Sequence, residues 1–162
     1  MGNKLFVYLN KTRIGVLEKN NLGKLSFYYL QDAKIALSAS LPLIKDKIFV
    51  DAEILPFFEG ILPEGNLRKN IATKYGLSES NVFGLLEKIG GDCAGAVSVY
   101  SEDFDMSNSK YFQQCVDEPK LVKGLKNLQK NADISLAKYS RLSLAGVNEK
   151  TTIIFQEHKF YL

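Results

Sequence analysis

Residues 4–29 read Lys4-Leu5-Phe6-Val7-Tyr8-Leu9-Asn10-Lys11-Thr12-Arg13-Ile14-Gly15-Val16-Leu17-Glu18-Lys19-Asn20-Asn21-Leu22-Gly23-Lys24-Leu25-Ser26-Phe27-Tyr28-Tyr29, and this stretch decides the fold. Leu5, Val7 and Leu9 fall on one side of an extended chain and Phe6 and Tyr8 on the other. Period-two alternation of this kind predicts a strand. Asn10 to Arg13 turn the chain, Ile14 to Leu17 return it, and Asn20-Asn21-Leu22-Gly23 turn it again into Leu25–Tyr29. Turn residues between short alternating runs predict an antiparallel meander. Leu37, Ala39 and Leu41 alternate once more before Pro42, and Lys47 to Val50 predict another short strand.

Downstream the period changes from two to 3.6. Asn66 to Tyr75 carries Leu67 and Ile71 one turn apart, with Gly76 placed as a C-terminal cap. Ser78 is a candidate N-cap for a second helix whose apolar face is Val82, Leu85, Leu86 and Ile89, ending at Gly90-Gly91. Ala94 to Tyr100 reads as a buried strand, and residues 101–110 as a polar linker. Asp117 with Pro119 opens a further helix, in which Leu121, Leu125 and Leu128 share a face and Lys120, Lys123, Lys126 and Lys130 cover much of the rest. Arg141–Asn148 reads as a tight loop and Thr151–Phe155 as a strand. It is followed through His158-Lys159 by Phe160-Tyr161-Leu162, a two-stranded hairpin with no third strand in view.

The composition sets outer limits. With 46% hydrophobic and 24% charged residues in 162, the chain has the balance of a soluble globular protein large enough for its own core. A net charge of +3 points to no partner by itself. Cys93 and Cys115 stand far apart without neighbouring cysteine or histidine, so they match neither a zinc pattern nor a disulfide framework and read as reduced thiols. No apolar run approaches the roughly 20 residues of a membrane span, and the expectation is a cytoplasmic protein without membrane association.

Three clusters stand out from generic core. Pro56-Phe57-Phe58-Glu59-Gly60-Ile61-Leu62-Pro63-Glu64-Gly65-Asn66-Leu67-Arg68 fixes an irregular path with two prolines and two glycines, and reads as a rigid loop before a helix. Glu64 and Arg68 have the spacing for an ion pair on that helix. Glu59 and Glu64 invite an acid–base reading, but nothing in the sequence raises the pKa of either. Gly90-Gly91-Asp92-Cys93-Ala94-Gly95-Ala96 leaves a helix and enters a strand, the reverse of a phosphate-binding glycine loop, so close backbone packing is the better reading. Leu142-Ser143-Leu144-Ala145-Gly146-Val147-Asn148-Glu149-Lys150-Thr151-Thr152 places small residues before a strand. Its amides could face phosphates, yet it lacks the Walker spacing and on its own reads as a turn.

Taken together and in order, these stretches resemble the HipA family of bacterial toxin kinases. Val7-Tyr8-Leu9-Asn10 with Gly15-Val16-Leu17, Leu25–Tyr29 and Leu37-Ser38-Ala39-Ser40-Leu41-Pro42 are similar to the family's opening. Phe57–Gly65 and Gly90–Ala96 resemble its two signature stretches, and Ser143–Thr151 its nucleotide loop, so the resemblance spans essentially the whole chain. It implies a protein serine/threonine kinase that uses ATP and magnesium, a HipB-like helix-turn-helix antitoxin as partner, and operator DNA reached only through that antitoxin. It also implies that Ala145, Gly146, Val147, Asn148, Glu149 and Lys150 lie over the ATP phosphates. Ser143 takes the place of a regulatory autophosphorylation site. The family's ATP lysine, catalytic-loop aspartate and metal-binding aspartate come after the point matching Leu162, so no catalytic activity is expected of this chain by itself.

The expected architecture is α+β. Residues 1–104 form a small antiparallel β-rich domain with two packed helices, 105–135 a linker and helix, and 136–162 the first hairpin of a kinase-like N-lobe. Two other functions stay open. One is a stand-alone regulatory or antitoxin-like subunit that binds a separate HipA-like kinase chain. The other is a small nucleic-acid-binding domain, resting on the basic stretch from Pro119 to Lys150.

Overall fold

The computed structural model describes residues 3–93, 95–101, 115–131, 154–157 and 159–161. The meander forms as its alternation requires: β1 (Lys4–Leu9), β2 (Thr12–Lys19) and β3 (Leu25–Tyr29) pair antiparallel in sequence. Asn10 and Lys11 make the first turn at φ 48 and 71, the paired positive values of a two-residue hairpin. The register shifts beyond Val7, so that Tyr8 faces Arg13 and Ile14 is the extra residue of a bulge. At the second turn the Asn20 side chain accepts from the Leu22 and Lys24 amides at 2.9 and 3.0 Å. β4 (Ile48–Val50) joins β3, and β5 (Val97–Tyr100) returns to pair with β1, giving the order β4-β3-β2-β1-β5.

One face of this sheet carries the core. Leu5, Val7, Leu17, Phe27, Phe49 and Val99 are buried in one cluster with Ile54, Phe58, Ile71, Leu85 and Leu86 from the helical segment. Phe27 is its centre, in ring contact with Tyr29, Phe49 and Phe58. Its ring lies against the backbone of Gly15, where a Cβ would come within 2.5 Å of it. The glycine is what lets a phenylalanine lie flat across its neighbouring strand.

The first signature stretch differs from the expected loop. Leu55–Gly60 is a short helix, α1, with Pro56 in its first turn, where a missing amide costs nothing. It buries Phe58 completely, worth about 1.5–3 kcal/mol for a side chain of this kind. α2 (Gly65–Tyr75) ends at Gly76 with φ 63, the expected left-handed cap. Arg68 does not pair with Glu64; its Nε donates to the Glu79 carbonyl at 2.7 Å. α3 (Val82–Ile89) is capped by Asn81, whose Oδ1 accepts from the Gly84 amide at 3.0 Å, rather than by Ser78. Ser78 instead turns to Ser80, accepting its amide proton.

Leu37 to Leu41 is not a strand of the sheet. A single bridge between Ser38 and Leu41 closes it into a turn. The Tyr29 hydroxyl pins both ends, accepting from the Leu37 amide and donating to the Leu41 carbonyl. The apolar alternation there serves to bury Leu37 and Leu41 from a loop.

The C-terminal part adds a correction. Cys115–Val116 (β6), Ile154–Gln156 (β7) and Lys159–Tyr161 (β8) form a three-stranded sheet in the order β6-β8-β7. The final hairpin therefore has a third strand, contributed from upstream of α4 (Glu118–Asn131). Asp117 caps α4 as expected, its Oδ1 accepting from the Lys120 amide at 2.8 Å. Val116 and Leu121 are buried together with Phe160 against them. Cys93 is buried and Cys115 exposed, and neither is in a disulfide.

Candidate functional site

The residues expected to meet a nucleotide, Ala145 to Lys150, and the expected phosphorylation site Ser143 lie outside the described residues. What the structure places next to them in sequence is β7, held by β8 with Phe155 opposite Phe160. That expectation rests on the resemblance alone, because one glycine among small residues carries no phosphate-binding spacing of its own.

The two signature stretches serve the core. In the first, Phe58, Ile61 and Leu62 are buried while Glu59 and Glu64 face solvent. The exposed carboxylates enter no cleft, so the stretch shows no acid–base pair. In the second, Gly90 and Gly91 open a 3-10 turn, Gly90–Asp92, directly on β5. A Cβ at Gly90 would meet Val99 at 2.8 Å, and one at Gly91 would meet the Tyr100 ring at 2.9 Å. The glycines are there for close backbone packing, as their position after a helix indicates.

The loop between β3 and β4 bounds a shallow cleft of about 280 Å³. Tyr29 and Leu43 give it an apolar side, and Gln31 donates to Asp46 at 2.6 Å across its rim. This is below the roughly 300–1,000 Å³ of small-molecule sites. Ile35, Leu43 and Ile44 between β3 and β4, and Ile48 and Val50 of β4, are exposed. Among the described residues no group of three or more His, Cys, Asp or Glu could hold a metal. Among the described residues no helix is long and apolar enough to cross a membrane.

Charged groups elsewhere form two local networks. Glu18 accepts from Lys4 at 2.8 Å and from the Tyr28 hydroxyl at 3.0 Å. The Lys4 hydrogen bond is the main cause holding the Glu18 carboxyl below its ordinary pKa. Glu53 accepts from Lys47 at 2.7 Å and from the Val50 amide at 3.0 Å, which occupies a donor on the edge strand β4. Lys47 is likewise the main cause lowering Glu53. Burial pushes the Tyr29 phenol up.

An antiparallel five-stranded sheet with three short helices on one face is an α+β domain of defined topology, and comparison with known proteins identifies its family. The family model described as HipA N-terminal domain matches residues 5–100, more than half of the chain, and the chain belongs to that family. A Sinorhizobium fredii protein named "Putative kinase Y4mE" is 33% identical over 150 residues, covering 87% of this chain and 36% of that protein. An uncharacterized Haemophilus influenzae protein is 32% identical over 97 residues, covering 59% of this chain and 90% of its own length. Among solved structures, a chain of the Shewanella oneidensis MR-1 HipA, HipB and operator DNA complex has a TM-score of 0.69 at 22% identity, covering 97% of this chain and 37% of the other. The N-terminal domain of HipA toxin has a TM-score of 0.50 at 28% identity, covering 64% of this chain and 95% of that domain. The chain thus spans little more than a third of the length of the Sinorhizobium relative and of the Shewanella chain.

Proposed function

We propose that this chain is the N-terminal region of a HipA-like protein serine/threonine kinase toxin from a bacterial type II toxin–antitoxin system. The observation that carries the reading is the extent of the likeness. The family model ends at residue 100, whereas identity to the kinase-named relative runs over 150 residues. In this reading residues 1–104 are the family domain, 105–135 a linker and helix, and 136–162 the start of a kinase lobe. Ala145, Gly146, Val147, Asn148, Glu149 and Lys150 fold over the phosphates of ATP, and Ser143 is the autophosphorylation site. ATP with magnesium supplies the phosphoryl group. A phosphate on Ser143 would add about −2 of charge beside those of the nucleotide and disfavour its binding. The lysine and aspartates that position metal and acceptor are assigned to a further region, in the same polypeptide or in another chain. A HipB-like antitoxin is the proposed partner, in the cytoplasm, with operator DNA bound through it.

A second reading has its own support. The Haemophilus influenzae relative consists almost entirely of the matched segment. A protein built on this domain nearly alone therefore exists, and such a chain would act as a regulatory subunit that binds a separate HipA-like kinase.

Both readings are tested by incubating the chain with radiolabelled ATP and magnesium, alone and with a separately produced HipA-like catalytic region. The first predicts no label on the chain alone, label on Ser143 when the catalytic region is added, and its loss in Ser143→Ala. The second predicts co-purification with the kinase and reduced kinase activity, without label at Ser143. Steady transfer by the chain alone, surviving repurification, would contradict both.

A further inference from the structure

We propose that the lysine face of α4 docks directly on the phosphate backbone of duplex nucleic acid. Lys120, Lys123 and Lys126 are all exposed, while Leu121 is buried with Val116 and Phe160. At about 100° per residue the three lysines sweep an arc of about 120° on the side away from Leu121, and they rise about 9 Å along the axis. Among the described residues no carboxylate forms an ion pair with any of them. Two acids open the helix: Asp117 accepts from the Lys120 amide as its cap, and Glu118 lies in the first turn without an ion pair to any of the three lysines among the described residues.

Helix stability does not account for this stripe. A cation in the first turn opposes the helix dipole, and like charges three residues apart repel. The arrangement therefore costs the helix something and leaves three ammonium groups in a row that no carboxylate pairs with among the described residues. A membrane surface is the poorer occupant, because an interfacial helix inserts its apolar face, and on α4 Leu121 already packs with Val116 and Phe160, which leaves only Val122 and Leu125 exposed as apolar residues among those described. A regular array of phosphates needs only the charged face. The proposal rests on α4 alone and stands or falls separately from the kinase reading.

The test is fluorescence anisotropy of the full chain with short random-sequence duplexes across a salt series starting at about 20 mM. Three phosphate contacts predict that log K falls against log salt with a slope of about −2.7, or about 40-fold between 50 and 200 mM. The triple variant Lys120→Gln, Lys123→Gln, Lys126→Gln should flatten that slope by about 2.7, equally for all sequences. The triple Lys→Arg variant, which keeps the charges, should retain it. Circular dichroism confirms that α4 survives in each. An unchanged slope in the glutamine variant overturns the proposal, and so does absence of duplex binding by the wild-type chain at the lowest salt. Lysine-dependent binding to phosphatidylserine vesicles without duplex binding also overturns it, in favour of a membrane.

Discussion

Tyr29→Phe isolates the clamp that holds the loop between β3 and β4. The ring is kept, with its contacts to Phe27 at 4.9 Å and Phe49 at 6.2 Å between centroids, so only the hydroxyl is lost. That hydroxyl accepts from the Leu37 amide and donates to the Leu41 carbonyl, both in buried surroundings. An unpaired buried main-chain group costs about 1–3 kcal/mol. Leu41 is fully buried and Leu37 is 8% exposed, so water can partly replace the partner of the second more easily than of the first. The expected loss is about 2–4 kcal/mol in all. For a domain of this size that lowers the melting temperature by on the order of 10 °C. Urea unfolding followed by circular dichroism measures it as a shift in midpoint at constant slope. The phenol's raised pKa gives a second readout. A raised acid stabilises the fold fully below its ordinary value near 10, and the benefit is lost as pH climbs past it. Wild-type stability should therefore fall more steeply than that of Tyr29→Phe between neutral and strongly alkaline pH. A loss below about 0.5 kcal/mol, with parallel alkaline profiles, would refute the clamp.

Three further perturbations test the core and its edges. Gly15→Ala should cost about 1–3 kcal/mol through collision with the Phe27 ring, against the usual gain from replacing a strand glycine, and urea midpoints will show the sign. Asn81→Ala should cost about 0.5–2 kcal/mol as loss of the α3 cap, and Ser78→Ala less than about 0.5; the reverse order would restore Ser78 as the cap. Glu18 has a depressed pKa, so its contribution is present above the ordinary carboxylate value and is lost as pH falls. Glu18→Gln should flatten the acid limb of the stability profile, and an unaltered limb would show that the Lys4 pair contributes nothing.

The parts of the fold that sequence makes legible are those with a long period. Six alternating residues in β1 and the return through Ile14 to Leu17 define the meander. The Val82, Leu85, Leu86 and Ile89 face defines α3. Shorter features escape. α1 is six residues long and begins Leu55-Pro56, so its proline and paired phenylalanines read as a loop although a first-turn proline suits a helix. β6 is two residues long and becomes a strand only because β8 lies beside it, a pairing that no local pattern announces. Leu37, Ala39 and Leu41 alternate like a strand but are fixed by a tyrosine hydroxyl from eight residues upstream. The capping choice between Ser78 and Asn81 depends on where the helix starts, which periodicity leaves open by a few residues. The candidate nucleotide loop was legible only as part of an ordered set of stretches resembling one family, since its own spacing defines no site.

The central claim is that a HipA-type N-terminal region supplies at most one wall of a nucleotide site, the metal- and lysine-bearing remainder being provided from elsewhere. Calorimetric titration of ATP with magnesium into the chain measures this directly. The proposed loop, without the family's separate ATP lysine and metal-binding aspartate, gives a small part of the usual electrostatic hold on the phosphates, so no saturable heat is expected in the micromolar range. Saturable micromolar binding of ATP to the chain alone would mean that the site is complete within it, and would contradict the account.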